Sequence, residues 1–347
     1  MKRINGLCGH GISIALCALL AGAAPAVAQG SYKVLDRWTV GGDGGWDYLA
    51  ADPTAPRLYV THGTRLEVLD TATGKSVGAI TGFKGLHGVV FDTDGRTGYV
   101  TDGGSNVVVA FDRQTLEKLA SIPAGTNPDG AAFEPTTGTV WAFNGRSSNA
   151  TVIDAKSRTV VATIPLPGKP EFPQVDGSGT VYVNIEDKNE IVRLDAKTKK
   201  ATATWPLVGC DSPSGLAIDV TGHRLFSVCD GKKMAITDTV TGRSLGTADI
   251  GDGPDAAGYD SIHHLAFSSN GDGTLTIVNT GKPGYPIAET VTTEKGARTM
   301  AYDARNSRVY LVTAQLGPRP AATPDNPRPR PTVVAGSFHV IVVGRNE

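Results

Sequence analysis

Apolar and polar residues alternate along this chain in short runs, and helix-length amphipathic patterns are hard to find. One run, led by an aromatic residue, comes round seven times: Tyr59-Val60-Thr61, Tyr99-Val100-Thr101, Trp141-Ala142-Phe143, Tyr182-Val183-Asn184, Phe226-Ser227-Val228, Phe267-Ser268-Ser269 and Tyr310-Leu311-Val312. The steps between the leading aromatics are 40, 42, 41, 44, 41 and 43 residues. Repeats of about 40–45 residues, four strands each, are the blades of β-propellers. The neighbouring runs supply the other strands. A run ending in an acid precedes the anchor, as in Gly88-Val89-Val90-Phe91-Asp92, and one such as Leu66-Glu67-Val68-Leu69-Asp70 follows it. A turn, Asp70-Thr71-Ala72-Thr73-Gly74-Lys75, then leads to a fourth run, Ser76-Val77-Gly78-Ala79-Ile80. Gly242 matches Gly74, while other blades place Leu116, Arg158 or Lys199 there. β-Branched and aromatic runs between Gly, Asp, Asn and Thr turns predict antiparallel sheets.

The seventh copy is incomplete. Its third strand comes late, at Phe338-His339-Val340-Ile341-Val342-Val343, and no fourth follows. A spare strand stands near the other end, at residues 32–40. Pairing the two would complete the blade and leave no open radial interface. The fold expected is all-β, a seven-bladed β-propeller whose last blade is closed by the N-terminal strand. Two excursions break the regularity: a long loop at 280–286, and a proline- and arginine-rich insert at 317–331. The insert reads either as a plain surface excursion or as a lid or partner-docking loop.

The start of the chain reads differently. Lys2 and Arg3 precede an apolar stretch at 12–21, and Ala26-Val27-Ala28 stands before Gln29. These are the three parts of a secretory signal peptide. They predict a leader over 1–28 and a periplasmic or secreted propeller over 29–347, with no membrane span and expected to be monomeric. An uncleaved anchor or a lipoprotein at Cys17 are the alternatives; Leu16 stands where lipid attachment prefers a small residue. Losing Lys2 and Arg3 moves the formal net charge from −1 to −3, giving no global field to attract nucleic acid or anionic lipid. Cys210 and Cys229, the cysteines left after cleavage, fall at neighbouring ends of two antiparallel strands of blade five. An oxidising compartment predicts a disulfide between them.

The repeat as it stands, R-L-Y-V-T-H-G then L-E-V-L-D-T-A-T-G-K, resembles that of the YVTN-repeat, YncE-like periplasmic propellers. The resemblance covers residues 31–347. It implies the fold strongly and a binding scaffold more than a reaction. Related propellers include metal-dependent lactonases and a streptogramin-cleaving lyase, so it leaves catalysis open.

Candidate chemistry follows from the register. Aligning the acids that end the first strands (Asp52, Asp92, Glu134, Asp176, Asp219, Asp260, Asp303) fixes the residue five places earlier: Asp47, His87, Asp129, Glu171, Ser214, Asp255 and Arg298. One per blade at the same axial end predicts a ring around the channel mouth. The loop leaving the second strand gives another column on that face: His62, Asp102, Asn144, Ile185, Cys229, Asn270 and Thr313. Oxygen and imidazole donors suit a divalent cation, Ca or Mg through carboxylates, Zn or Mn through histidines. A cationic organic group is the alternative, with Trp46 or Phe172 stacking on it. Equally, acids and Asn before a strand often only cap turns. The strand-ending acids, and the adjacent His263 and His264, read as turn residues of the opposite face.

No G-x-S-x-G elbow, Walker loop, dinucleotide glycine pattern or C-x-x-C-H haem site occurs, so neither nucleotide nor haem is expected. Three functions compete. The first is a scaffold binding a small ligand, cation or protein partner at the mouth. The second is a metal-dependent hydrolase or lyase of lactonase type. The third is a single-stranded nucleic-acid binder, against which the acidic ring counts and for which Arg319, Arg328 and Arg330 offer only a local opening.

Overall fold

The computed structural model describes residues 31–323, 329 and 331–345. They form seven four-stranded antiparallel sheets. Blade 1 consists of Trp46–Ala51, Arg57–His62, Arg65–Asp70 and Ser76–Thr81, paired in sequence order. Blades 2 to 6 repeat this order, with first strands Leu86–Phe91, Pro128–Glu134, Pro170–Val175, Asp211–Asp219 and Pro254–Asp260. Each first strand touches those of its neighbours, and Met300–Asp303 of blade 7 touches Trp46–Ala51, so the ring is closed. A short 3₁₀ turn, Glu186–Lys188, is the one helical element among the described residues.

Blade 7 is split as the sequence predicts. Tyr32–Thr39 pairs antiparallel with His339–Arg345, from Tyr32 opposite Arg345 to Thr39 opposite His339. The core is not one mass but seven layers, each between two adjacent blades. Tyr59, Leu66 and Val68 of blade 1 pack on Val100, Val109 and Phe111 of blade 2, for example, and Leu58 and Val60 pack on Tyr310, Val312 and Val340 of blade 7.

The repeat motif has a mechanical reading. Its leading tyrosine is buried and donates to a carbonyl of the next blade: Tyr59 to Arg113 at 3.2 Å, Tyr99 to Ala155 at 2.8 Å, Tyr182 to Thr239 at 3.3 Å. Its acids close turns. Asp70 accepts the backbone N–H groups of Ala72 and Thr73, and Asp112, Asp154, Asp195 and Asp238 do likewise. The turn then needs a left-handed residue. Gly74 (φ 69°) and Gly242 (φ 72°) supply it cheaply, while Leu116, Arg158 and Lys199 adopt it at φ 64°, 57° and 55°. At Gly74 more is at stake: a Cβ would lie 2.4 Å from the Trp38 ring.

The strand-ending acids also serve turns. Asp52 accepts from Thr54 and Ala55 and is paired with the buried Arg113; Asp260 holds the Nδ1 of His263 at 2.7 Å. The expected leader lies outside the described residues, as do the tip of the insert and Arg328 and Arg330. No helix among the described residues is long and apolar enough to cross a membrane. The disulfide between Cys210 and Cys229 is formed, with a Cα–Cα distance of 5.4 Å, inside the layer between blades 4 and 5.

Candidate functional site

The column that begins at Asp47 occupies one structural position, and a local irregularity defines it. In blade 1 Trp46 pairs with His62 but Leu49 with Val60, so the first strand carries one residue more than its partner. The same extra residue occurs between Leu86 and Val89, Pro128 and Ala131, Pro170 and Pro173, Pro213 and Leu216, and Pro254 and Ala256. Asp47, His87, Asp129, Glu171, Ser214 and Asp255 therefore all sit in β-bulges, the device that re-aims a side chain out of the regular pleat. Arg298 precedes the first strand of blade 7.

Polar side chains on the second strands hold these bulges. Thr61 donates to the carbonyl of Tyr48 at 2.9 Å, Thr101 to that of Asp129 at 2.7 Å, and Asn184 to that of Ser214 at 3.0 Å. The residue after the bulge is often constrained as well. A Cβ on Gly130 would stand 2.6 Å from the carbonyl oxygen of Glu171, in the next blade.

All seven column residues line one cavity of about 320 Å³. Within it the charges pair. His87 Nδ1 lies 2.5 Å from Asp47 Oδ2 and 3.7 Å from Asp129 Oδ1. Arg298 Nε meets Asp255 Oδ2 at 3.1 Å. Lys169 Nζ lies 2.6 Å from Glu171 Oε1 and also bonds Glu186. Five carboxyl groups thus face three basic groups. Burial disfavours the His87 imidazolium, but the hydrogen bond to Asp47 and the charges of Asp129, Asp47 and Glu171 raise its pKa to about 9. Burial pushes Asp129 and Glu171 above the ordinary carboxylate range. Asp47 adds to the rise at Asp129, and Asp129 to that at Glu171.

Lys169, Glu186 and Tyr48 belong to this cavity and were not in the sequence-derived ring. The lysine comes two residues before Glu171, and Glu186 just after the second strand of blade 4, so neither falls in a register column. Tyr48 is fully buried, and burial followed by the nearby acids keeps its phenol protonated. Its ring meets Phe172, from blade 4, edge to face at 4.9 Å across the axis. Together they form a floor. Beyond it lies a second, mainly apolar cavity of about 610 Å³, lined by Phe172, Leu49, Val89, Phe133 and Met300 among others.

Several expectations need correction. Phe172 lines the far cavity rather than the mouth, so it does not stand where a cation in the acidic ring would be stacked. None of the second column lines the mouth, and its amide and carboxylate side chains are committed locally. His62 is buried and stacked on Phe338 at 4.1 Å. Asp102 accepts the N–H groups of Lys84 and Gly85. Asn144 donates to Asn149 and Thr151, and Asn270 to Thr274 and Thr276. Trp46 does line the mouth, with its ring 5.5 Å from Phe338.

Fold and site together define a seven-bladed propeller with an acidic, floored mouth. No family model matches the chain. It is similar to "Uncharacterized protein YncE" of Salmonella typhi (26% identical over 229 residues), of Salmonella typhimurium (29% over 229) and of Escherichia coli K12 (26% over 221). The alignments take in 60–61% of this chain and 57–64% of the relatives, so the chain spans about three fifths of the length of the curated relatives it matches. Among solved structures, U3-55K (TM-score 0.72, 10% identity) covers 92% of this chain and 99% of its own. The RRP9 WD40 repeats (TM-score 0.73, 11% identity) cover 93% and 99%. At such identities the likeness is one of fold alone. The curated relatives and the seven-bladed architecture support a YncE-like propeller family for this chain.

Proposed function

We propose that this chain is an exported binding scaffold that takes a small, positively charged ligand at its channel mouth. One observation carries the reading: the aligned residue of every blade lines a single cavity in which carboxyl groups outnumber bases. A cation there relieves repulsion among Asp47, Asp129 and Glu171. A bound cation favours ionisation of Asp129 and Glu171 and a phosphate opposes it, so a nucleic-acid strand fits the mouth less well. The leader-like N-terminus and the Cys210–Cys229 disulfide support export to an oxidising compartment.

Calorimetric titration with methylammonium, Ca, Mg, Zn and Mn tests the reading. The expected result is saturable binding by wild type that is lost in the Asp129→Ala, Glu171→Ala double variant while its circular dichroism is unchanged. Should no cation bind in a way these substitutions abolish, the column is turn chemistry and the reading fails. Because Asp129 and Glu171 are both held protonated above their ordinary range and a bound cation favours their ionised forms, methylammonium affinity should rise as pH is raised from about 5 to about 8. Proton release, measured by calorimetry in buffers of different ionisation enthalpy, should accompany binding. A flat profile would remove both carboxyl groups from the site.

A second reading, the metal-dependent hydrolase or lyase, has its own observation. Donor atoms of Asp47, His87 and Asp129 all lie within 4.8 Å of one another. One imidazole with two carboxylates suits Zn or Mn, which as a Lewis acid would polarise a substrate carbonyl. Elemental analysis of purified protein separates the two, since the enzyme needs a retained or exchangeable ion.

A further inference from the structure

We infer that the mouth ligand is a small amphiphilic ammonium, an amine on an apolar or aromatic stem, with the stem seated in a side cavity next to the acids. The inference rests on the mouth's being a cation site and adds the class of cation. The side cavity measures about 240 Å³ and lies between blade 1 and the base of the blade 7 insert. Gly45, Trp46 and Arg298 line both it and the mouth, so the two spaces share a wall. The rest of its lining is Gly296, Leu316, Pro331 and Val333. A benzene ring is held by an apolar cavity of about 150 Å³, so a stem of that size has room.

The side cavity is built, not incidental. Leu316 and Val333 form a bridge between the two stems of the insert; Gly317 N–H donates to Thr332 O at 2.8 Å, and Val334 N–H to Gln315 O at 2.9 Å. Gly296 keeps the space open. A Cβ there would stand 3.4 Å from Leu316 Cδ1 and 3.9 Å from Trp46 Cζ2, and the residue sits at φ 81°, where a side chain is strained. Leu316 is 42% exposed, an apolar side chain left facing solvent beside a charged mouth. Arg298, also in the common wall, has its guanidinium tied to Asp255. Trp46 lines both spaces, so its indole stands within reach of an ammonium in the one and of an apolar stem in the other. A bare metal ion would leave the side cavity unused, and an anion would oppose ionisation of Asp129 and Glu171.

Three probes test this on the full chain by calorimetry: 2-phenylethylamine, methylamine and 2-phenylethanol. Burying one ring predicts that phenylethylammonium binds roughly thirty-fold tighter than methylammonium, with phenylethanol weaker than either charged probe. Leu316→Ser, at a solvent-facing position, should remove most of that preference and leave methylammonium binding as it was; Leu316→Met should restore it. Equal affinity for the two amines, or a preference that survives Leu316→Ser, overturns the amphiphile and leaves the mouth as a plain cation site. If neither amine binds, the inference falls, and the reading beneath it falls with it only where Ca, Mg, Zn and Mn fail to bind as well.

Discussion

Deleting residues 338–347 is expected to leave a chain that aggregates instead of folding. His339–Arg345 is the hinge of closure, paired on one side with Arg308–Thr313 and on the other with Tyr32–Thr39. Phe338, Val340, Ile341, Val342 and Val343 are all buried, shared between the layers that blade 7 makes with blades 6 and 1. At about 1.5–3 kcal/mol each, five such side chains contribute of order 10 kcal/mol, comparable with the whole net stability of a typical domain. The deletion also strips Tyr32–Thr39 of its partner and exposes the edge of Arg308–Thr313. Size-exclusion chromatography and near-ultraviolet circular dichroism check it. A monomer with an unchanged thermal midpoint would disprove closure by the two termini.

Replacing both Cys210 and Cys229 by serine should cost about 3 kcal/mol, the value for constraining an unfolded loop of this length in the chain-entropy view. The sulfurs are enclosed by Tyr182, Leu207, Leu216 and Leu225, so the serine hydroxyls would add a desolvation cost. Reducing wild type with dithiothreitol isolates the bond from the substitution. Denaturant midpoints of oxidised, reduced and double-variant protein are the measurement. Coincidence of all three would mean the bond adds nothing to stability.

The sequence carried the architecture because the fold is written in a repeat: an aromatic leads the second strand of every blade and a turn acid recurs in blades 1 to 5, each with a mechanical duty. The column from Asp47 to Arg298 was legible for the same reason. Directions were less legible. Phe172 stands beside Glu171, yet the bulge sends the two toward opposite cavities, and a count of positions does not reveal an extra residue. A signal for it was present in Pro128, Pro170, Pro213 and Pro254, each directly before a column residue. Proline at such places in a strand marks an edge or a bulge. The second column failed for a different reason. Asn144, Asn270 and Asp102 have the chemistry of ligands but spend it on neighbouring hydrogen-bonding groups, and only the pairing of strands brings those groups into reach. Lys169 and Glu186 escaped because they belong to blade 4 alone.

The rings of Tyr48 and Phe172 turn what a propeller's symmetry would make a pipe into two cups set back to back. If those two rings, 4.9 Å apart, close the passage, a molecule in the acidic cup exchanges through the rim it entered by. Trp46 and the base of the insert hold that place. The other cup, oily and nearly twice as large, is free to have an occupant of its own, unaware of the first except through the tilt of two aromatic side chains. Shaving Phe172 to alanine would join the two chambers, and the acids at one end would then, for the first time, share water with the apolar walls at the other.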